Sequence, residues 1–117
     1  MSIDYSVSKV VTDYGTTVTS LLPHDYSKAE LEAAMKLVFT AWNAVTIDNW
    51  NQNTEQEQLV LSTVAEERAA LLMLKRLIKR KKKKFSQYSW GIGNHWVRET
   101  EDGGLVFGCE ARGKTEH

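Results

Sequence analysis

Apolar residues recur at intervals of three and four through the middle of the chain, a spacing typical of amphipathic helices. Ser27 and Glu30 stand at the start of this pattern as a Ser-x-x-Glu capping box, which satisfies free backbone amides in the first turn of a helix. The pattern predicts a helix over residues 27–50. Its buried stripe would be Leu31, Met35, Val38, Trp42 and Val45.

The same pattern returns over residues 54–82, where Thr54 and Glu57 repeat the capping-box spacing. The carboxyl end of this second predicted helix is rich in lysine and arginine, which the negative end of the helix dipole favours. Because only a short polar segment separates the two helices, we expect them to pack as an antiparallel two-helix hairpin. The predicted stripe of the second helix is Val60, Val64, Leu71, Leu74 and Ile78.

Residues 1–22 support two interpretations. The apolar residues lie at helical spacing, but the segment is rich in Val and Thr, which lose side-chain freedom in a helix. Alternatively, residues 7–12 and 16–21 are two strands, and Gly15 supplies the positive φ of the loop between them. Residue-type propensity favours the hairpin, and the helix stays the alternative.

Residues 88–112 predict a second β-hairpin, because the sequence Glu-Asp-Gly-Gly at 101–104 separates two runs of β-forming residues. A loop at Asp102 and Gly103 would place six residues on the face toward the helices. These residues form the predicted cross-strand pairs Trp96 with Cys109, Arg98 with Phe107 and Thr100 with Leu105. Residues 113–117 are predicted to be a frayed tail.

The predicted fold class is α+β, in a single domain over residues 1–117. The two-helix hairpin would pack against a small antiparallel sheet built from the amino- and carboxyl-terminal hairpins. Isolated hairpins are only marginally stable, so either the two pair with each other or a second subunit completes them. We therefore expect a homo-oligomer, most simply a homodimer.

The formal net charge of zero conceals a two-sided distribution. Residues 1–74 hold four basic and ten acidic groups, whereas residues 75–117 hold eleven basic and five acidic groups. There is no apolar run of the roughly 18–20 residues that span a bilayer and no signal-peptide pattern, so we expect a cytoplasmic protein without a transmembrane segment. The single cysteine excludes an internal disulfide, and no motif indicates a metal or cofactor.

Residues 75–84 contain eight basic side chains, and aromatic residues follow directly. Cations that neutralise phosphates and flat rings that stack on bases are typical of proteins that bind DNA or RNA. We expect the main contacts from residues 81–84, which lack apolar neighbours and form a predicted hinge between helix and strand. The predicted nucleic-acid-binding residues are Lys79, Arg80, Lys81, Lys82, Lys83, Lys84, Tyr88 and Trp90.

Other interpretations of the basic run stay open. It could dock on an acidic protein surface or an anionic membrane, or it could be a solvated helix end that balances the acidic half of the chain. An enzyme using His95 and Cys109 is a third hypothesis, but strand alternation would place these residues on opposite faces. His95 opposite Glu110 is then a cross-strand pair, and we expect a non-enzymatic protein.

Overall fold

The computed structural model describes the backbone of residues 5–113 and the side chains of residues 7–113. This part of the chain is mixed helix and sheet, in which five helices accompany one two-stranded antiparallel sheet. None of these helices is long and apolar enough to cross a membrane. The predicted frayed tail lies, except for Gly113, outside the described residues. In chain order the elements are α1 (Tyr5–Tyr14), α2 (Thr16–Thr19), α3 (Lys28–Asn51), α4 (Glu55–Thr63), α5 (Arg68–Lys84), β1 (Gly91–Glu99) and β2 (Leu105–Arg112).

Helix α3 is the centre of the fold and begins where the sequence predicts. Ser27 Oγ accepts a hydrogen bond from the Glu30 backbone N–H at 3.1 Å, and the Ser27 N–H donates to Glu30 Oε1 at 3.0 Å, so the capping box is confirmed. Trp42 and Val38 are fully buried. Contacts with α2, α4, α5 and β1 surround this helix, so four of the other six elements pack directly on it.

The predicted amino-terminal hairpin is wrong, because α1 and α2 occupy this segment and the helical alternative describes it. Gly15 has a φ of −78°, so it does not supply a left-handed turn. A Cβ there would lie 3.2 Å from Val38 Cγ2, and the glycine instead allows close approach to α3. Burial of Val11 and Tyr14 outweighs the weak helix propensity of the segment.

The predicted second helix is two helices, because α4 ends at Thr63 and α5 begins at Arg68. The predicted cap, Thr54, makes no side-chain capping bond. Buried Asp48 of α3 replaces it: its two carboxylate oxygens accept the backbone N–H groups of Gln56 and Glu57, each at 2.9 Å. The cap of α4 therefore comes from the preceding helix, and this bond holds α4 against α3.

The carboxyl-terminal hairpin is confirmed, but its predicted register is wrong by one residue. Thr100 N–H donates to Gly104 O at 2.8 Å, and Gly103 has a φ of 84°, so the loop is longer than the two residues predicted. A one-residue slip exchanges the two faces of a strand. The observed pairs are His95 with Cys109, Trp96 with Gly108, Val97 with Phe107, Arg98 with Val106 and Glu99 with Leu105.

The corrected register explains the positions of Trp96 and Gly108. Cys109 is buried toward the helices, whereas Trp96 lies on the other face of the ribbon. A Cβ on Gly108 would be 2.4 Å from the Trp96 ring, so only glycine lets the indole lie flat across β2. The Arg98 guanidinium lies 5.2 Å from the centre of the same ring and covers it.

Each edge of the ribbon is bonded by one helical side chain. On β2, the Cys109 N–H donates to Ser8 Oγ at 3.0 Å, and this hydroxyl donates back to the Cys109 carbonyl at 3.3 Å. On β1, the Ile92 N–H donates to Asn43 Oδ1 at 2.6 Å, and Asn43 Nδ2 donates to the Ile92 carbonyl at 3.0 Å. These contacts support a ribbon that would be marginal alone.

Candidate functional site

The last ten residues of α5 present a surface that is entirely basic. The helix continues to Lys84, so the predicted hinge at residues 81–84 is wrong. Leu77, Ile78 and Lys81 face the core, and Arg80 is half-buried. We call the remaining exposed residues the basic face, and they are Lys75, Arg76, Lys79, Lys82, Lys83 and Lys84.

Lys81 is fully buried and does not belong to the basic face. Its ammonium donates to the Phe85 carbonyl at 2.8 Å and to the Tyr88 carbonyl at 2.7 Å, and it lies 4.4 Å from the centre of the Trp42 ring. Burial lowers its pKa from 10.5 to about 8, although the carbonyls and the indole face favour the charged form. Lys81 therefore ties the end of α5 to the segment before β1, and it cannot contact a phosphate in this arrangement.

Two further predicted cations are engaged within the molecule. Lys82 Nζ lies 2.6 Å from Glu57 Oε1 of α4, and Arg80 donates to the backbone carbonyls of Tyr14 and Asp13, each at 3.1 Å. Lys82 is about half exposed, so its ion pair contributes little stability and leaves the lysine available to other anions. Arg80 instead fixes α5 against the end of α1.

Tyr88 and Trp90 are half-buried and pack on buried Trp42. The Trp90 and Trp42 rings are stacked with centroids 4.8 Å apart, and Tyr88 lies 6.1 Å from Trp42. Trp42 Nε1 also donates to the Trp90 carbonyl at 2.8 Å. The rings of Tyr88 and Trp90, which are predicted to stack on bases, therefore pack mainly on the protein's own core. The basic face is the stronger candidate for a binding site.

Two grooves adjoin α5, one beside α2 and the other between α2, α3 and α5. The first, of about 230 Å³, is lined by Thr17, Arg76, Lys79, Arg80, Lys83 and Lys84, and it forms part of the basic face. The second, of about 390 Å³, is apolar except for Glu30 at its rim, and Leu21 beside it is 67% exposed. Its apolar lining consists of Val18, Leu21, Leu22, Ala33, Ala34, Leu37, Ala69, Ala70 and Met73.

The prediction that His95 and Cys109 lie on opposite faces is wrong, because they are a directly opposed cross-strand pair. His95 nevertheless packs on Phe39, with ring centroids 4.0 Å apart, and burial raises the pKa of the Cys109 thiol to about 11. A thiol with this pKa is almost fully protonated near neutral pH and is a poor nucleophile. The predicted partner of His95, Glu110, instead accepts a hydrogen bond from Asn94 at 3.2 Å. Within the described chain, no three His, Cys, Asp or Glu side chains are grouped to hold a metal ion.

Sequence reasoning missed the structural roles of Lys81 and Asp48. Lys81 lies four residues after Leu77 and three after Ile78, so the helical stripe itself places it inward. Its residue type concealed this position, because lysine is rarely buried. Asp48 lies on the buried side of α3, six residues before Thr54, and a carboxylate there indicates backbone donors nearby.

Comparison with known proteins finds no family, no curated protein and no solved structure that matches this chain.

Proposed function

We propose that this chain is a small non-enzymatic protein that binds nucleic acid through the basic face of α5. One observation carries the proposal: every exposed side chain in the last ten residues of α5 is lysine or arginine. Within residues 7–113, the only ion pair of these cations is the one between Lys82 and Glu57. Five cations are therefore available to phosphates without breaking an existing contact.

The proposed contacts are to the phosphate backbone rather than to bases. Lys79 and Lys83 are one helical turn apart, and Lys75 extends the same side of α5, so the cations follow a line along the helix. Tyr88 and Trp90 are half-buried against Trp42, so they offer little ring surface for stacking. Phosphate contacts without base contacts give binding that depends little on sequence.

A salt titration tests this proposal. Fluorescence anisotropy with a labelled duplex should show affinity that falls steeply with added salt, because bound cations release counterions from the phosphates. If four cations each contact one phosphate, the slope of log K against log salt is about −3.6. No binding at low salt, or binding unchanged by salt, would refute the proposal.

A double variant and a matched control locate the contact. Lys79→Gln with Lys83→Gln removes two cations from the basic face and should reduce the slope by about two units. Lys9→Gln with Lys28→Gln removes two charges from exposed lysines outside α5 and should leave the slope unchanged. Equal effects of both variants would indicate that net charge, rather than the basic face, controls binding.

The apolar groove favours a second candidate function, the docking of an acidic amphipathic helix. Val18 of the apolar groove directly follows Thr17 of the basic groove in the chain, and Met73 lies three residues before Arg76. Apolar and cationic surfaces therefore adjoin along α2 and α5. Such a surface would accept a helix with leucine on one face and glutamate at one end.

A peptide titration separates this candidate from nucleic-acid binding. A labelled amphipathic helix rich in Leu and Glu should bind the wild type. Leu21→Asn, which removes apolar surface and changes no charge beside the basic groove, should weaken that binding and leave the affinity for duplex DNA unchanged. Equal binding of the peptide to both proteins would eliminate the groove as its site.

A further inference from the structure

The outer edge of β1 carries backbone groups that no strand in residues 5–113 pairs. In an antiparallel ribbon, residues alternate between those that bond the partner strand and those whose N–H and C=O point away from it. Cys109 directs both groups to Ser8, so its partner His95 also points both groups outward, on the opposite edge. By the same alternation, the backbone N–H and C=O groups of Val97 and Glu99 also point outward. On this edge, Asn43 bonds the backbone groups of Ile92 and not those of these three residues.

An open groove of about 400 Å³ runs along this edge, between β1 and α3. Phe39, whose ring centroid lies 4.0 Å from that of His95, and Lys36 both line this groove. An added strand would lie about 4.8 Å from β1 and would direct alternate side chains into this groove. Both the backbone groups and the space for a further strand are therefore present.

We propose that the occupant is β1 of a second copy of this chain, which pairs antiparallel about a twofold axis at Val97. Residues whose backbone groups point outward must oppose each other across the new strand pair. This register therefore places His95 opposite the partner's Glu99, and Trp96 opposite the partner's Arg98. The first pair allows a hydrogen bond from imidazole to carboxylate, and the second a cation–π contact. The axis duplicates both pairs.

Charge selects this register among the neighbouring ones. An axis at Arg98 would oppose two arginines, and an axis at Glu99 would oppose two glutamates. An axis at Trp96 or at His95 would place Glu99 opposite the partner's Gly93 or Gly91, where it has no cation. Opposed like charges destabilise a strand pair, so the axis at Val97 is the favourable solution.

The resulting dimer has a continuous four-stranded sheet, which relieves the marginal stability of the two-stranded ribbon. None of the cations of the basic face lies on β1, so the dimer does not depend on nucleic-acid binding. Failure of one proposal therefore leaves the other standing.

Sedimentation over a wide protein concentration range tests the dimer. The wild type should pass from monomer to dimer as concentration rises. Glu99→Lys places a lysine opposite the partner's His95 and near Lys36, and the twofold axis repeats this unfavourable pair. The substitution should weaken association by at least about tenfold. Glu101→Lys makes the same charge change in the exposed loop and should leave association unchanged. Thermal melting should show that both variants fold as the wild type does.

Cysteine cross-linking tests the register, in a Cys109→Ala background. Across the axis the two Val97 Cα atoms would be about 5.5 Å apart, within the range of a disulfide, so Val97→Cys should form a covalent dimer under mild oxidation. Two copies of Glu99→Cys would be offset along the strands by about four residues, or roughly 13 Å, and should stay monomeric. A monomer at every concentration, a dimer insensitive to Glu99→Lys, or cross-linking through residue 99 and not residue 97 would overturn the proposal.

Discussion

Buried Lys81 gives the most direct test of the structure. Its side chain has no exposed surface, and its ammonium bonds two carbonyls without a carboxylate partner. The folded pKa of about 8 lies below the unfolded value of 10.5, so between these pH values the unfolded chain binds more protons than the folded one. Raising the pH through this window therefore stabilises the folded state.

The magnitude follows from the two pKa values. From about pH 7 to about pH 9.5, deprotonation of Lys81 should add about 2 kcal/mol to the free energy of unfolding. A neutral amine keeps two N–H donors, enough for both the Phe85 and Tyr88 carbonyls. Lys81→Met has no group that titrates here, so the destabilisation it causes should grow by about 2 kcal/mol over the same range.

Urea unfolding of the wild type and Lys81→Met at several pH values measures this difference. Burial raises the pKa of Cys109, which acts in the opposite direction, but the thiol is present in both proteins and cancels. Lys83→Met makes the same change at an exposed position of α5 and controls for loss of the lysine side chain. A constant difference between wild type and Lys81→Met would refute the burial of the ammonium.

Three further predictions concern individual contacts. Gly108→Ala should lower the free energy of unfolding by about 1–3 kcal/mol, because the new methyl group displaces Trp96. In a double-mutant cycle this cost should disappear in a Trp96→Ala background, and a cost that persists would contradict the packing of Trp96 on Gly108. Asp48→Ala should cost about 2 kcal/mol or more in urea unfolding, because it leaves two α4 amides without an acceptor, whereas Thr54→Ala should cost less. Native Cys109 should react with a thiol reagent far more slowly than the urea-unfolded chain, and equal rates would show that the thiol is accessible.

Local signals in the sequence predicted the start of α3 and the existence of the carboxyl-terminal hairpin. Both capping-box hydrogen bonds join Ser27 and Glu30 to each other, so the spacing of these two residues is sufficient to identify the cap. In the hairpin, Gly103 marks the turn correctly, but the Thr100 hydroxyl accepts the Gly104 N–H at 2.9 Å and extends the loop. Sequence spacing alone does not distinguish these loop lengths, and the register depends on that difference.

Long-range contacts determine the features that sequence reasoning missed. A Cβ at Gly15 would crowd the side chain of Val38, and Asp48 caps a helix that follows it. At the candidate site, the basic character of α5 was evident from the sequence, but the division into exposed and buried lysines depends on what α5 packs against. Lys81 is the clearest case, because its partners Trp42 and Tyr88 lie on other segments.

The bond between Ser8 and Cys109 joins residues 101 positions apart. Contacts between residues so distant in sequence form slowly, so we expect α1 to gain its contact with β2 only after the hairpin exists. The order of folding should therefore run against the order of the chain, with α3, α5 and the hairpin assembling first and α1 docking last. Substitutions in α1 such as Ser8→Ala should then accelerate unfolding and leave the folding rate nearly unchanged.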